Sequence, residues 1–427
     1  MKVAVIGTGY VGLVSGTCLA ERGHHVTCVD IDEDKVQKLR KGISPIYEPR
    51  LEELITKNIE AERLMFTSDY AEAVPGADVI LIGVGTPPNP DGSANTRYVE
   101  EAASQIAKHL TRDSIVANKS TVPVGTRDLV EQIIRKHYAG EFYVVSNPEM
   151  LREGCAVRDF LEPARIIIGS ESDHAAEGML KLYESFDCPK LVMHPRSAEL
   201  TKYAANSFLA TKISFINEVA HLAEEVGADI EEVAEGIGSD PRIGKQFLRA
   251  GLGWGGSCFP KDVRAMLQMG EAAKQRMPII EAAFEVNDKA RKRVVDRLEK
   301  AMGSLTDKQV AILGLAFKNN TDDTRESAAI ALVEHFLRAG ARVTAYDPKA
   351  EIHDATLTER MHRHESLYEA CRGADVVVIA TEWDEFRALD LGQLKEMMHG
   401  DILMDARNLL NQQEATEKGF RYFRVGK

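Results

Sequence analysis

Three closely spaced glycines near the start of the chain constrain its fold more than any other feature. The apolar run at residues 2–7 leads into the sequence GTGYVG, whose glycines are Gly7, Gly9 and Gly12, and a helical pattern then continues to Gly23. Glycines at this spacing permit a tight turn, close approach of a ligand to the backbone, and close packing of a helix on a strand. A second strand-like run, HHVTCVDID, follows. This order predicts a Rossmann-type unit that binds a pyrophosphate at the N-terminus of its first helix.

The residue near the end of the second run, Asp30, indicates which dinucleotide fits. Its carboxylate can accept hydrogen bonds from both ribose hydroxyls of NAD, but it repels the 2′-phosphate of NADP. The sequence therefore favours NAD. A Rossmann-like domain that binds no dinucleotide is the alternative that these residues leave open.

The same alternation of strands and helices occurs twice, before and after a long helical section. Further strand-like runs lie at 78–85, 114–121 and 142–147, with helical patterns at 97–110 and 125–137. One long helical pattern runs from Ser197 to Gly227, and more helix follows to about residue 302. The second alternation comprises strand-like runs at 309–318, 342–348, 375–381 and 401–407 and a helical pattern at 326–339.

These patterns predict an α/β protein with two Rossmann-like, doubly wound parallel-sheet domains that are joined by a long central helix and a helical middle domain. We expect an N-terminal NAD-binding domain at residues 1–195, a helical central and dimerisation domain at 196–304, and a C-terminal α/β domain at 305–427. Ligands of such sheets bind at the carboxyl ends of the strands.

The composition excludes several classes of protein. With 53 Lys and Arg against 66 Asp and Glu, the net charge is −13, which disfavours binding to nucleic acid or to an anionic membrane. The six cysteines lie far apart and lack metal-ligand spacing, so we expect reduced thiols and no metal site. Because a strand pattern begins directly after Met1 and no apolar run approaches membrane-spanning length, we expect a cytosolic protein.

Three groups of residues are candidates for chemistry. Cys258 lies in GLGWGGSCFPKD, where glycines permit close approach of a ligand and nearby Lys261 favours the thiolate. Lys202 and Asn206 are four residues apart on the long helical pattern, so both side chains emerge on one face and can stabilise an alkoxide. In SNPEMLREG, Glu149 and Glu153 follow a strand and are candidate general bases. Each group also has an ordinary structural interpretation, namely a buried cysteine, a solvated lysine or surface glutamates.

Taken together, the motifs resemble a known family. The segments GTGYVG, GTP at 85–87, KSTVPVG at 119–125, NPEMLREG, TKYAANSF, PRIGKQFLRAGLGWGGSCFPKD, GLAFKNNTDDTRES and ATEWDEF are similar to the UDP-glucose/GDP-mannose dehydrogenase family, and most similar to its UDP-glucose-oxidising branch. The resemblance runs from residue 2 to about 386. It implies oxidation of UDP-glucose to UDP-glucuronate with two NAD+ and one water, as in the supply of UDP-glucuronate for polysaccharide synthesis, and it implies a UDP-sugar-binding role for residues 305–427.

The resemblance also implies roles for individual residues. Cys258 would form a thiohemiacetal and then a thioester, Lys202 and Asn206 would stabilise the oxyanion, and Asp262, Thr121 and Glu149 would organise water and proton transfer. The implied NAD contacts are Gly7, Gly9, Tyr10, Val11, Gly12, Asp30, Lys35, Thr86, Thr121, Glu153, Lys261 and Arg325. The implied substrate contacts are Glu149, Met150, Leu151, Arg152, Glu153, Lys202, Asn206, Arg242, Phe247, Leu248, Arg249, Ala250, Gly251, Gly255 and Lys318.

Several alternatives stay open at this point. Arg242 is expected to reach the site of a neighbouring subunit in a homodimer or higher homo-oligomer built on the central helix, or else it is an exposed arginine at a helix end. GDP-mannose or UDP-N-acetylmannosamine is an alternative substrate for the same chemistry. A one-step β-hydroxyacid dehydrogenase would share the first domain and the Lys202–Asn206 spacing. The alternative that is not an enzyme is a sensor protein that binds NAD or a nucleotide sugar without turning it over.

Overall fold

The structure is a computed structural model, and it describes residues 1–352 and 354–427. The chain divides into two compact units. The first comprises Met1–Ala205 and Arg264–Ala273, and the second comprises Asn206–Val263 and Lys274–Lys427.

The first unit is built around one large sheet. Its strands are β1 (Lys2–Ile6), β2 (His25–Val29), β3 (Leu64–Thr67), β4 (Val79–Ile82), β5 (Ile115–Asn118), β6 (Tyr143–Ser146), β7 (Ile166–Gly169) and β8 (Lys190–Met193). The helices are α1 (Tyr10–Glu21), α2 (Glu33–Arg40), α3 (Leu51–Glu60), α4 (Tyr70–Ala73), α5 (Arg97–His109), α6 (Thr126–His137), α7 (Ala156–Leu161) and α8 (Asp173–Leu182). The strand order is β3-β2-β1-β4-β5-β6-β7-β8, and β6 and β7 form an antiparallel pair, through Ser146 and Gly169, in an otherwise parallel sheet.

The apolar strands of this sheet are buried because helices cover both faces. In β1, Val3 and Val5 pack into one hydrophobic core, whereas Ala4 and Ile6 pack into a second core. Continuous apolar runs of this kind are typical of parallel sheets with two covered faces. Ile6 pairs with Val29 and with Ile82, so the loops after β1, β2 and β4 emerge at the same edge. The chain order reverses between β1 and β4, which is the switch point where such folds bind ligands.

Four helices follow in the chain, namely α9 (Pro195–Val226), α10 (Ile230–Gly238), α11 (Phe259–Ala272) and α12 (Pro278–Met302). The division between the two units falls inside α9 and inside α11. The predicted helix from Ser197 to Gly227 corresponds to α9, which begins two residues earlier and ends before Gly227, whose φ is +75°. Glycine in this conformation is a common helix terminator.

The second unit contains a sheet with the same chain order. Its strands are β9 (Gln309–Leu313), β10 (Arg342–Tyr346), β11 (Met361–Arg363), β12 (Val376–Ile379), β13 (Ile402–Asp405) and β14 (Arg421–Arg424), in the parallel order β11-β10-β9-β12-β13-β14. The helices are α13 (Ala328–Arg338), α14 (Ala355–Arg360), α15 (Leu367–Cys371), α16 (Asp384–Arg387), α17 (Leu391–Met397) and α18 (Gln412–Glu417). The predicted class, an α/β protein with two doubly wound sheets and a long central helix, is confirmed. In the described part of the chain, no helix has both the length and the apolar character to cross a membrane.

Candidate active site

The glycine turn between β1 and α1 forms a backbone cradle. Gly7 has a φ of +93°, and a Cβ on Gly12 would lie 1.9 Å from the Gly7 carbonyl oxygen, so neither position accepts a side chain without rearrangement. Gly9 is the N-cap of α1, and a Cβ placed there would meet nothing within 4 Å. Space beside Gly9 is therefore unfilled where the first turn of α1, which includes Tyr10 and Val11, begins. This cradle fits a dinucleotide pyrophosphate.

Asp30 follows β2 at the same edge of the sheet and is held by the glycine turn. Its Oδ2 accepts hydrogen bonds from the Thr8 amide at 2.9 Å, the Thr8 hydroxyl at 2.5 Å and Lys35 Nζ at 2.9 Å. Burial raises the pKa of Asp30, but the hydrogen bonds from Lys35 and Thr8 outweigh burial and hold the pKa below its ordinary value. The carboxylate is therefore ionised where the ribose of NAD is expected.

A buried carboxylate that sequence reasoning missed lies beside this turn. The Tyr10 hydroxyl donates to Glu48, and the Gly154 amide lies 2.8 Å from the Tyr10 oxygen and 2.7 Å from Glu48 Oε2. Burial raises the pKa of both Tyr10 and Glu48. This network joins the first turn of α1 to the residue after Glu153, which is itself buried. An acidic residue in the loop segment IYEPR carries no sequence signal of burial, which is why Glu48 was not predicted.

The loops after β4 and β5 are joined by a pair of threonines. The Thr86 hydroxyl donates to the Thr121 carbonyl at 2.8 Å, and both residues are buried. Both loops leave the same sheet edge as the glycine turn. The structure therefore brings these two predicted residues together in the first unit.

Glu149 and Lys202 form a buried ion pair in the first unit. Lys202 Nζ lies 2.7 Å from Glu149 Oε1, and both side chains are at most 5% exposed. The Leu151 amide donates to Glu149 Oε2 at 2.5 Å. Burial raises the pKa of Glu149, but attraction to Lys202, the hydrogen bonds from Lys202 and Leu151, and the charge of Lys119 lower it below its ordinary value. Because it is ionised, the Glu149 carboxylate is in the protonation state that can accept a proton.

The neighbours of Glu149 in the chain are more open. Met150 and Leu151 are half-buried, and Arg152 is exposed and binds Asp159 at 2.7 Å. These side chains are therefore less buried than that of Glu149. Their predicted contacts with a substrate stay predictions.

The second unit holds a separate cluster around Asp262. Asn206 Nδ2 donates to Asp262 Oδ2 at 2.6 Å, and Lys261 Nζ lies 2.6 Å from Asp262 Oδ1. Asn206 lies one turn after Lys202 on α9. Cys258 directly precedes α11, is half-buried, and has its Sγ 3.6 Å from the Ser257 hydroxyl. Thus the start of α11 positions Cys258, Lys261 and Asp262, and Asn206 reaches Asp262 from α9.

The glycines that precede Cys258 are required by close packing. A Cβ on Gly255 would lie 2.2 Å from the Glu326 carbonyl oxygen. Gly256 has a φ of +85°, and a Cβ there would lie 2.6 Å from the Phe317 ring. The backbone that carries the cysteine is therefore fixed against the loop after β9.

The remaining predicted substrate residues differ in exposure. Phe247 has a φ of +64°, which is uncommon for a bulky side chain and marks a strained turn. Leu248 and Ala250 are buried in the core of the second unit, so Arg249 is the exposed side chain between them. The Gly251 amide donates to Asn217 Oδ1 at 2.8 Å. Lys318 is half-buried, with its ammonium 5.4 Å from the centroid of the Phe317 ring.

Two predicted ligand-binding arginines are exposed. Arg242 lies 2.6 Å from Asp240, and Arg325 lies 2.8 Å from Asp323. Each bond joins residues two positions apart, so it reflects the local turn. The assignment of these arginines to a bound ligand stays a prediction.

Family models cover most of the chain. Residues 1–187 match the NAD binding domain of the UDP-glucose/GDP-mannose dehydrogenase family, residues 196–289 match its central domain, and residues 311–412 match its UDP binding domain.

Individual proteins resemble the chain over its full length. UDP-glucose 6-dehydrogenase of Rhizobium meliloti is 48% identical over 436 residues, covering 100% of both chains. UDP-glucose 6-dehydrogenase TuaD of Bacillus subtilis is 46% identical over 429 residues, covering 100% of this chain and 93% of the relative. Among solved structures, a UDP-glucose dehydrogenase from Pyrobaculum islandicum is 42% identical with a TM-score of 0.93, covering 100% of this chain and 97% of the other. A UDP-D-ManNAc dehydrogenase from Pyrococcus horikoshii is 30% identical with a TM-score of 0.89, covering 100% and 99%.

Proposed function

This chain belongs to the UDP-glucose/GDP-mannose dehydrogenase family, and we propose that it oxidises UDP-glucose to UDP-glucuronate with two NAD+ and one water. The observation that carries the substrate assignment is full-length identity of 40–48% to relatives named UDP-glucose 6-dehydrogenase. The more distant UDP-D-ManNAc dehydrogenase structure, at 30% identity, makes UDP-N-acetylmannosamine the second candidate substrate.

The first unit fits NAD in two respects. The cradle of Gly7, Gly9 and Gly12 leaves open backbone at the start of α1, and the ionised Asp30 suits two ribose hydroxyls. Bound NAD+ supplies the acceptor for the hydride in each oxidation. We assign the dinucleotide contacts to Gly7, Gly9, Tyr10, Val11, Gly12, Asp30, Lys35, Thr86, Thr121, Glu153, Lys261 and Arg325.

In the first oxidation, the substrate loses a hydride from its CH2OH carbon and a proton from its hydroxyl. Glu149 is the proposed proton acceptor because it is ionised and lies in a buried site. Lys202 and Asn206 donate hydrogen bonds to the developing alkoxide, and these donors are worth most when water is excluded. The product of this step is an aldehyde.

The second oxidation is proposed to proceed on Cys258. Its sulfur bonds to the aldehyde carbon, the thiol hydrogen ends on the former carbonyl oxygen, and a thiohemiacetal results. Loss of a second hydride and of the hydroxyl proton gives a thioester. Water, which we propose is positioned by Asp262, Thr121 and Glu149, then adds to the thioester carbonyl and breaks the carbon–sulfur bond. One hydrogen of the water ends on the sulfur of Cys258, and the other is released as a proton when the acid leaves as a carboxylate.

We assign the nucleotide-sugar contacts to residues 149–153, Lys202, Asn206, Arg242, residues 247–251, Gly255 and Lys318. Arg249 and Lys318 would place positive charge next to the diphosphate in a protein of net charge −13. The proposed domains are residues 1–195 for NAD, 196–304 for the helical centre and dimerisation, and 305–427 for the UDP-sugar.

We also propose that the protein is a homodimer through α9. Phe208, Phe215 and Leu222 are spaced seven residues apart on this helix and are 66%, 51% and 61% exposed, and Val226 extends the stripe at 66%. An apolar stripe with this spacing suits a second copy of the same helix. The six cysteines are present as thiols, which supports a reducing compartment, and we place the protein in the cytosol.

The deciding experiment counts NADH per molecule of substrate consumed. With limiting UDP-glucose and excess NAD+, absorbance should report two NADH for each UDP-glucose. One NADH would indicate a one-step dehydrogenase, and binding without NADH would indicate a protein without catalytic activity. UDP-galactose, GDP-mannose and UDP-N-acetylmannosamine should be assayed in parallel, because faster turnover of any of them would replace the proposed substrate.

A further inference from the structure

A second buried lysine, Lys119, binds Asn147, which lies two residues before Glu149, and the two line one cavity with the residues on either side of Glu149. The mechanism above gives this lysine no role. Lys119 follows β5 and is 6% exposed. Its ammonium donates to Asn147 Oδ1 at 3.2 Å and to the Tyr183 hydroxyl at 3.4 Å. It also lies 5.7 Å from the ring centroid of Phe160 and 5.6 Å from that of Tyr183. All of these contacts are with neutral groups.

The neutral groups are themselves fixed in position. The Tyr183 hydroxyl donates to Asn147 Oδ1 at 2.6 Å, and the Asn147 amide group donates to the Ile167 carbonyl at 2.7 Å. The orientation of Asn147 is therefore set, with its oxygen facing Lys119. Burial raises the pKa of Tyr183, so this hydroxyl stays neutral. The pocket holds an ammonium in one place without giving it a carboxylate of its own.

Burying an ammonium among neutral groups has a cost. The pKa of Lys119 is lowered to about 8, chiefly by burial. The charge of Glu149 raises this pKa, and the charge of Lys202 lowers it further. An apolar side chain of similar length would avoid this cost. Buried groups with perturbed titration cluster at functional sites, where their charge has a use.

The charge of Lys119 acts on Glu149. Glu149 Oε1 faces Lys202 at 2.7 Å, Oε2 accepts from the Leu151 amide, and the charge of Lys119 favours the ionised form as well. When Lys202 donates its hydrogen bonds to a substrate oxygen, it no longer donates all of them to Glu149, and the ionised form of Glu149 is less stabilised. A second ammonium would then hold the carboxylate ionised.

We propose that Lys119 is a positioning residue whose fixed positive charge keeps Glu149 ionised beside Lys202, so that Glu149 can accept the substrate proton. This inference rests on the proposed function. Lys119 does not itself touch the reacting atoms in this assignment.

Other ionisable groups also face Lys119. A cavity of about 30 Å³ beside it is lined by Asp159 of α7 and Arg165 before β7, as well as by Tyr183 after α8. Asp159 is bound by Arg152 at 2.7 Å, so its charge is already balanced. The effect on Glu149 is therefore assigned to Lys119 and Lys202. A cavity of this size has room for about one water, or for the extra atoms of an arginine.

The test compares Lys119→Met with Lys119→Arg in the full chain. Removing the charge should raise the pKa of Glu149, so the acid limb of kcat/KM for NADH formation should move to higher pH by about one pH unit. The rate below that limb should fall about tenfold. Lys119→Arg keeps a positive charge and should return the limb to its wild-type position. Tyr183→Phe, which keeps both the ring and the ammonium, should move the limb less than Lys119→Met.

A second readout is independent of turnover. Carbon-13 NMR of glutamate carboxyl groups in the substrate-free protein follows the titration of Glu149, whose signal is identified by its loss in Glu149→Gln. An upward shift of that titration in Lys119→Met supports the inference, even if UDP-glucose proves not to be the substrate. An unchanged titration, or a uniform loss of rate without movement of the acid limb, would overturn it.

Discussion

The Asn206 amide donates a 2.6 Å hydrogen bond to Asp262 Oδ2, and both residues are buried. Lys261 occupies the other carboxylate oxygen at 2.6 Å. Because Nδ2 carries two hydrogens and Asp262 takes one, the other can be donated to the substrate oxygen that we propose Asn206 binds. The carboxylate thereby fixes which way the Asn206 amide faces.

Asp262→Asn should therefore lower kcat by roughly a hundredfold or more, because a neutral amide neither fixes Asn206 in this way nor serves as a base. Steady-state NADH formation with UDP-glucose measures the effect. Asp401→Asn is the matched control, since Asp401 lies in the same unit and contacts exposed Arg421, to which no role in binding or catalysis is assigned. A kcat near the wild-type value would remove Asp262 from the proposed mechanism.

Cys258→Ser should abolish net formation of UDP-glucuronate while leaving binding of NAD+ and UDP-glucose nearly unchanged. We expect the fold not to depend on the thiol, which is half-buried just before α11, whereas the second oxidation as proposed requires a sulfur adduct. Chromatography of the products and calorimetric titration of both ligands measure the two effects. Cys188→Ser, at another half-buried cysteine, is the control. Wild-type formation of acid in Cys258→Ser would exclude the thioester.

The sequence predicted many of the strands whose apolar pattern is strong, although it missed β7, which has the sequence IIIG and is buried throughout. Strands β1, β4 and β5 are buried throughout or almost throughout, so their composition identified them. Strand β8 was missed because Leu191 and Val192 are 44% and 48% exposed at the edge of the sheet, where neighbouring helices impose no pattern. Strand β14, with the sequence RYFR, contains too many polar residues to be recognised.

The candidate site was predictable only where a motif has a fixed backbone consequence. Glycines at 7, 9 and 12 require the turn that the structure contains. Contacts between distant segments could not be read from spacing, and the pairs Lys202–Glu149 and Asn206–Asp262 emerged only from the fold. Glu48 and Lys119 were missed because burial of a charged side chain is decided by tertiary packing.

Asp30→Ala should reduce the preference for NAD over NADP. Removal of the carboxylate eliminates repulsion of a 2′-phosphate and releases Lys35, which lies 2.9 Å from Asp30 Oδ2, to bind that phosphate. We expect kcat/KM to fall with NAD+ and to rise with NADP+. Double substitution with Lys35→Ala should abolish the gain with NADP+ but not the loss with NAD+. An unchanged ratio in the single variant would contradict the role of Asp30.

Phe215→Asp should convert the proposed dimer to a monomer. Phe215 lies in the middle of the exposed apolar stripe on α9. Burying an unpaired carboxylate in an apolar interface costs on the order of several kcal/mol. Light scattering coupled to gel filtration gives the mass. Ile279→Asp, at a residue that is 70% exposed on α12, is the matched control and should leave the mass unchanged. A monomeric wild type would refute the proposed interface directly.

Lys119→Met should stabilise the protein near neutral pH. The pKa of Lys119 lies at about 8 in the folded chain against an ordinary value of 10.5, because burial disfavours the ammonium. Below pH 8 both the folded and the unfolded chain carry the proton, so the cost of burying it is present in full. Between pH 8 and 10.5 only the unfolded chain holds the proton, and wild-type stability therefore rises with pH through this window.

The stabilisation by Lys119→Met should consequently be largest below pH 8 and should shrink toward pH 10.5. Thermal unfolding of both proteins across this range measures the difference, with Lys108→Met on the exposed end of α5 as the control. A variant that is more stable yet less active would be the trade-off expected of a charge retained for function. A variant that is less stable than wild type at every pH would mean that the contacts of Lys119 with Asn147 and Tyr183 outweigh the cost of burying its charge.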